Sequence, residues 1–322
     1  MFRSLSISNF RGFQDLRVVG LDRFNLFMGR NNVGKTALLE AVFLLAGPTN
    51  PELPIRLNWF RGVDQARVDP EELWGWLFYE KDFKKAITIE LQDVSGRKRT
   101  LILELEERKE IPFKESRRPS PKGSRSSATA ATRSPPTTLR LDYRDEADRR
   151  FHTRAYISEG LLALEHAPSL AVPNSIYVSG RSGYSSENPE RFSKLQEVGG
   201  ESRLLGPLRI LEPRLKSLHV LVTGAGPMIH GDIGIGRMVP VPMMGEGVGR
   251  LLTLLLAITA SPRAFVMIDE IDSGLHHSVM KDIWSAIAEA ARQDDVQVFS
   301  TTHSWECLKA AHESFSQAER YD

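Results

Sequence analysis

The stretch GRNNVGKT, Gly29 to Thr36, sets two glycines, a lysine and a hydroxyl residue in the spacing G-x-x-x-x-G-K-[ST]. Glycine at both ends lets the main-chain amides of Gly29, Arg30, Asn31, Asn32, Val33 and Gly34 close around an anion, while Lys35 brings a cation to the outer phosphates. Thr36 offers a hydroxyl to Mg2+, and the amides of Thr36 and Ala37 open a helix whose N-terminal end favours negative charge. That is the chemistry of holding a triphosphate and its metal. Far along the chain, FVMIDE (Phe265 to Glu270) runs an apolar segment into two acids. Asp269, at the strand end, can complete a Mg2+ shell, and Glu270 can polarise an attacking water. VFSTTHS then places His303 after another apolar run, where an imidazole can hydrogen-bond a terminal phosphate or that water. Lys35, Glu270 and His303 are therefore the expected catalytic groups, with Thr36 and Asp269 as metal ligands.

These groups need elements to hold them. Phe2, Leu5 and Ile7 alternate as in a strand, DLRVVGLDRFNLFMG gives two more, and KTALLEAVFLLAG reads as a helix stopped by Gly47 and Pro48. The phosphate loop thus lies between a strand and a helix. AITIELQ and TLILELE alternate on either side of DVSGRKR, the pattern of an antiparallel hairpin with one wet face. SIYVSG reads as a strand, and Asn188 to Glu212 as two helices broken near Gly199 and Gly200. AFVMIDE, a helical HHSVMKDIWSAIAEAARQ and VQVFSTTHS form a strand, helix and strand of a parallel α/β sheet. His276 and His277 in that helical run are expected to splay apart at the surface.

Bulk properties exclude more than they assign. A net charge of +1 over 322 residues gives no global pull toward nucleic acid or membrane. One cysteine, Cys307, excludes an internal disulfide framework and a cysteine metal site, which fits the cytoplasm. LLTLLLAITA is about half the length of a membrane span, so no membrane partner is expected. Lys114 to Arg140 is rich in Ser, Pro and Arg and poor in large apolar residues, the composition of a disordered, solvated basic loop. Such a loop could also meet phosphate backbones, which keeps DNA as a candidate partner.

The same pieces in the same order resemble the ATP-binding-cassette (ABC) ATPases of the soluble SMC-like and RecF-like branch, and more closely the AAA-family ATPases of the OLD (overcoming lysogenization defect) type. ISNFRGF looks like the opening strand and turn, GRNNVGKT the Walker A loop, FVMIDEID the Walker B strand, DSGLHH the D-loop and STTHS the switch histidine. MMGEGVGRLL, with Gly245, Glu246 and Gly247, falls where the family keeps its signature motif. The resemblance implies an α/β fold like the ABC and SMC heads, with a mixed-sheet lobe, an antiparallel β subdomain and an inserted helical lobe. It divides a head domain of residues 1–322 into an N-terminal lobe (1–110), a basic loop (111–140), a β and helical insertion (141–240) and a C-terminal lobe (241–322).

It further implies ATP and Mg2+ as ligands and a homodimer in which the signature of one head caps the nucleotide on the other. Arg11 is expected to reach the nucleotide. Gln65 is the one candidate for a Q-loop glutamine. Transporter cassettes open the signature with serine where this chain has Gly245, which argues against a transporter subunit. After STTHS only a short tail ending in AERYD remains, too little for the acidic TOPRIM nuclease domain of OLD proteins. The implied function is an ATPase of a prokaryotic repair or antiviral defence system, acting with a separate nuclease or TOPRIM-like effector. The alternative is a nucleotide-gated scaffold with little turnover.

Overall fold

The structure, a computed structural model, describes residues 1–62, 70–107, 137–158, 161–165, 174–180, 183–224 and 226–317. Gln65 and the part of the basic tract from Lys114 to Pro136 lie outside them. In chain order come β1 (Phe2–Phe10), β2 (Phe13–Val19), β3 (Phe24–Met28), α1 (Lys35–Ala46), α2 (Leu53–Phe60) and α3 (Pro70–Trp74). They are followed by β4 (Ile87–Asp93), β5 (Lys98–Glu107), β6 (Thr137–Arg144), β7 (Arg150–Ser158), β8 (Leu161–Glu165) and β9 (Ser175–Val178). Then come α4 (Asn188–Glu197), α5 (Ser202–Leu208), β10 (Ser217–Thr223), β11 (Gly226–Asp232), β12 (Met238–Pro240) and α6 (Glu246–Thr259). β13 (Phe265–Ile268), α7 (Met280–Gln293), β14 (Gln297–Thr302) and α8 (Trp305–Gln317) complete the chain.

Among the described residues these strands form three sheets. The first is antiparallel, in the order β2-β1-β4-β5-β6-β7-β8, and Ile87, Ile89 and Leu91 turn inward while Thr88 and Glu90 face the wet side. The second is parallel, in the order β3-β14-β13-β9, with all four residues of β13 buried, as a strand covered on both faces must be. The third, β10-β11-β12, is a small antiparallel meander. α1 packs between the first two sheets, so its residues from Ala37 to Ala46 are all buried, which explains a helix apolar on nearly every side. Gln297 clasps the two sheets: its amide accepts from the Phe2 amide at 2.9 Å and donates to the Phe2 and Asp22 carbonyls at 2.9 Å each.

Two expectations are corrected. Arg140, grouped with the basic loop, stands in β6, where its guanidinium meets Glu104, Glu106 and Asp142. TTLRLDYR alternates strongly enough to pair with β5 and β7, so strands β6 to β8 extend the N-terminal antiparallel sheet across the boundary expected at residue 140. His276 and His277 do not splay: a tight turn precedes α7 and brings their rings to 4.2 Å. Cys307 is buried, and burial pushes its thiol up to about 11, which makes it inert.

Candidate active site

β3 ends at Met28 and the phosphate loop turns through Gly34, which lies at φ +96 with the Phe13 ring against it. A Cβ on Gly34 would come within 2.5 Å of that ring, so only glycine fits. No side chain caps the start of α1, which leaves its first amides available to an anion. The Lys35 ammonium donates to the carbonyls of Gly29 at 2.7 Å and Arg30 at 2.8 Å, and to His303 Nδ1 at 3.1 Å. An ammonium cannot accept, so Nδ1 carries the lone pair and His303 Nε2 the proton. That Nε2 lies 3.5 Å from a Glu270 carboxylate oxygen. Burial lowers the Lys35 pKa, against the opposing pull of Asp269 and Glu270.

The two acids at the end of β13 are held differently. Asp269 accepts from Thr36 at 3.0 Å and from Thr301 at 2.6 Å, and it also bonds the Tyr177 hydroxyl. Burial first, and then Asp269, push that tyrosine far above the ordinary phenol range. Glu270 sits in the left-handed region at φ +48, with its amide donating to Thr301 Oγ1 at 2.9 Å and its side chain half exposed. A non-glycine residue held in such a conformation costs energy.

A cavity of about 1360 Å3 opens over this cluster, ample for a nucleoside triphosphate. Arg11, Asn31, Asn32, Val33, Gly34, Lys35, Thr36, Ala37, Glu270 and His303 all line it. Thr36 and Glu270 also line a smaller cavity of about 180 Å3 that Asp269 joins. Gly245, Glu246 and Gly247 line neither. They begin α6, where Glu246 packs between Gly183 and Gly274 and Gly247 lies against the Gly274 carbonyl. The Thr36 hydroxyl and the Asp269 carboxylate suit Mg2+, a hard cation that takes oxygen ligands and fills its shell from phosphate and water. Both are oxygen donors already drawn together.

Several participants carried no motif. Glu40, fully buried in α1, accepts from Arg11 at 3.1 Å and from Arg61 at 2.7 Å. Arg11 is thereby anchored behind the loop as well as lining the cavity, and burial lowers its pKa despite Glu40. Arg61, Trp76 and Lys81 form the far wall, with the Lys81 ammonium 4.0 Å above the Trp76 ring. Glu40 was findable as the lone charge after the helix start of KTALLEAVFLLA; the wall, on short irregular elements, left no pattern.

Residues 24–306 match the model of the family described as "AAA domain, putative AbiEii toxin, Type IV TA system". The chain belongs to this family. With the phosphate loop in place, it is a P-loop ATPase of the AAA type. Over 344 aligned positions it is 22% identical to an "ATP/GTP phosphatase" of Helicobacter pylori, covering 96% of this chain and 87% of that protein. A shorter likeness, 43% over 44 residues, is to a "DNA replication and repair protein RecF" of Ruminiclostridium cellulolyticum, covering 14% of this chain and 12% of that one. Among solved structures, an SMC head bound to the C-terminal winged-helix domain of ScpA superposes with a TM-score of 0.50 at 12% identity, covering 96% and 91% of the two chains. The fold is thus that of an SMC head. Among the described residues no helix is long and apolar enough to cross a membrane.

Proposed function

We propose that the chain binds MgATP at Gly29 to Ala37 and hydrolyses it, as the ATPase component of a prokaryotic repair or antiviral defence system acting in the cytoplasm. The observation that carries the reading is the continuous line from Lys35 through His303 to Glu270, set beside the Thr36 and Asp269 pair. Lys35 and the loop amides hold the β and γ phosphates, and Arg11 flanks them. Glu270 takes a proton from the water that attacks the γ-phosphorus as the bridging P–O bond breaks and ADP leaves with the electron pair. His303 donates from Nε2 toward the reacting oxygens and keeps Glu270 aimed. Thr36 and Asp269 would hold Mg2+, which neutralises charge developing on the phosphates.

The proposal includes a homodimer in which Gly245, Glu246 and Gly247 of one head meet the nucleotide on the other. Support comes from their place outside their own chain's cavities and from exposed apolar residues in or beside the motifs. Val33, Met243 and Trp305 are 54%, 77% and 65% exposed, each within or two residues from a motif. A separate nuclease or TOPRIM-like effector and DNA complete the reading. ATP turnover with and without DNA, measured alongside mass in solution, tests it. Glu270→Gln should cut turnover by roughly a hundredfold or more and accumulate an ATP-bound dimer, while Lys35→Ala should lose ATP binding. Unchanged turnover in both variants would sink the assignment, and ATP-driven assembly without turnover would make the chain a nucleotide-gated scaffold.

A further inference from the structure

Within the buried length of α6 there is one charged residue, Arg250, only 1% exposed. Nη1 donates to the Ser179 carbonyl at 2.6 Å, and Nη2 donates to the carbonyls of Asp269 and Glu270, both at 2.9 Å. The last two are main-chain oxygens of the turn that carries the two acids. The turn is the strained one, with Glu270 at φ +48 and its flank pressed on Gly180, where a Cβ would meet the Glu270 Cβ at 2.9 Å. Something must hold it there, and a rigid fork with several donors suits two adjacent carbonyls better than any other side chain.

Asp269, Glu270, Asp272 and Glu246 surround this cation; burial lowers it to about 10, so it stays charged at neutral pH. Its anchorage on α6 matters as much as its partners. Gly245, the exposed cap of the same helix, stands five positions earlier, about 7.5 Å along the axis at 1.5 Å per residue. Between them Gly247 touches the Gly274 carbonyl, so the start of α6 is packed rather than loose.

We propose that Arg250 is a positioning residue that ties the start of α6 to the peptide carrying Glu270, so that contact at Gly245 to Gly247 sets the aim of the catalytic carboxylate. This rests on reading Glu270 as the base for hydrolysis. Contact at the helix start would then bear on turnover in the same head through one guanidinium.

Kinetics of the full chain test it. Arg250→Lys keeps the charge but loses the planar fork, and its kcat should fall about tenfold or more while KM for ATP stays within about threefold. In a Glu270→Gln background the same substitution should cost nothing further, because both changes act on one group. Equal losses in the two backgrounds, or a change in KM alone, would overturn the proposal. Hydrogen exchange on the unaltered chain serves where the variant does not fold. With ATP saturating throughout, raising protein concentration from monomer to dimer should slow the amides of 269–271 together with those of 245–250. Slowing of 245–250 alone overturns the link. Absence of turnover in the unaltered chain overturns the hydrolysis reading instead.

Discussion

The starts of α1 and α6 are built alike and finished differently. Each follows a glycine at positive φ, Gly34 at +96 and Gly245 at +118, and neither has a side-chain cap. Each opens a helix buried for most of its length. Around the start of α1 the same chain supplies a cation, two carboxylates, a hydroxyl and an imidazole, and the Phe13 ring closes the space behind Gly34. Around Gly245 a Cβ would meet nothing within 4 Å, and the neighbouring Met243 is open to solvent. One helix start is a complete site. The other carries one acid, Glu246, in its first turn and lies open to solvent at Gly245, where the proposed second head would dock.

The largest effect should come from Gly34→Ala, which adds roughly 1–2 kcal/mol of left-handed strain to a clash with Phe13. ATP binding by the isolated head, measured calorimetrically, should weaken about thirtyfold or more; affinity within twofold of the parent would mean the two helix starts do not differ in this way. Next comes Met243→Asp, which replaces an exposed apolar side chain near Gly245 by a charge. Dimer dissociation in saturating ATP should rise about tenfold, with monomer affinity for ATP unchanged. Gly247 is a poorer place for this experiment, because a Cβ there would sit 3.0 Å from the Gly274 carbonyl of the same chain and disturb the fold before any partner.

Asp93→Asn should touch neither helix start and moves stability alone. Burial works to raise this carboxylate, but bonds from Ser95 and Arg97 outweigh it and hold the pKa near about 2, below the unfolded 3.8. The stabilisation is therefore complete above about pH 4 and is lost as pH falls toward 2. The parent should lose more thermal stability than the variant between pH 5 and pH 2.5, by about a few degrees, while ATP affinity and assembly at neutral pH stay equal. A shift in either nucleotide property would show that the hairpin is coupled to the site.

The motif residues were legible because chemistry fixes their types and offsets: Lys35 and Thr36 must follow Gly34, and Asp269 must end an apolar strand. The hairpin of β4 and β5 was legible from alternation. β6 was not, because the Ser, Pro and Arg run before Thr137 masks its beginning. Glu40 and Arg250 could have been read as lone charges in apolar helical runs, a signal that a buried partner exists without saying which. The order β3-β14-β13-β9 has no local signature at all, since pairing between distant segments is decided by packing and not by either segment's own pattern.

That order has a consequence for how the protein comes to be made. β3, which delivers the phosphate loop, pairs on its inner edge with β14, from near the other end of the chain, and Phe2 is clasped by Gln297. Chains emerge from the ribosome N-terminus first, and contacts between distant segments are the slow ones to form. The loop is therefore synthesised early but gains its neighbouring strand only when Gln297 to Thr302 emerge, so a nascent chain should be unable to grip nucleotide until that distant segment has left the ribosome.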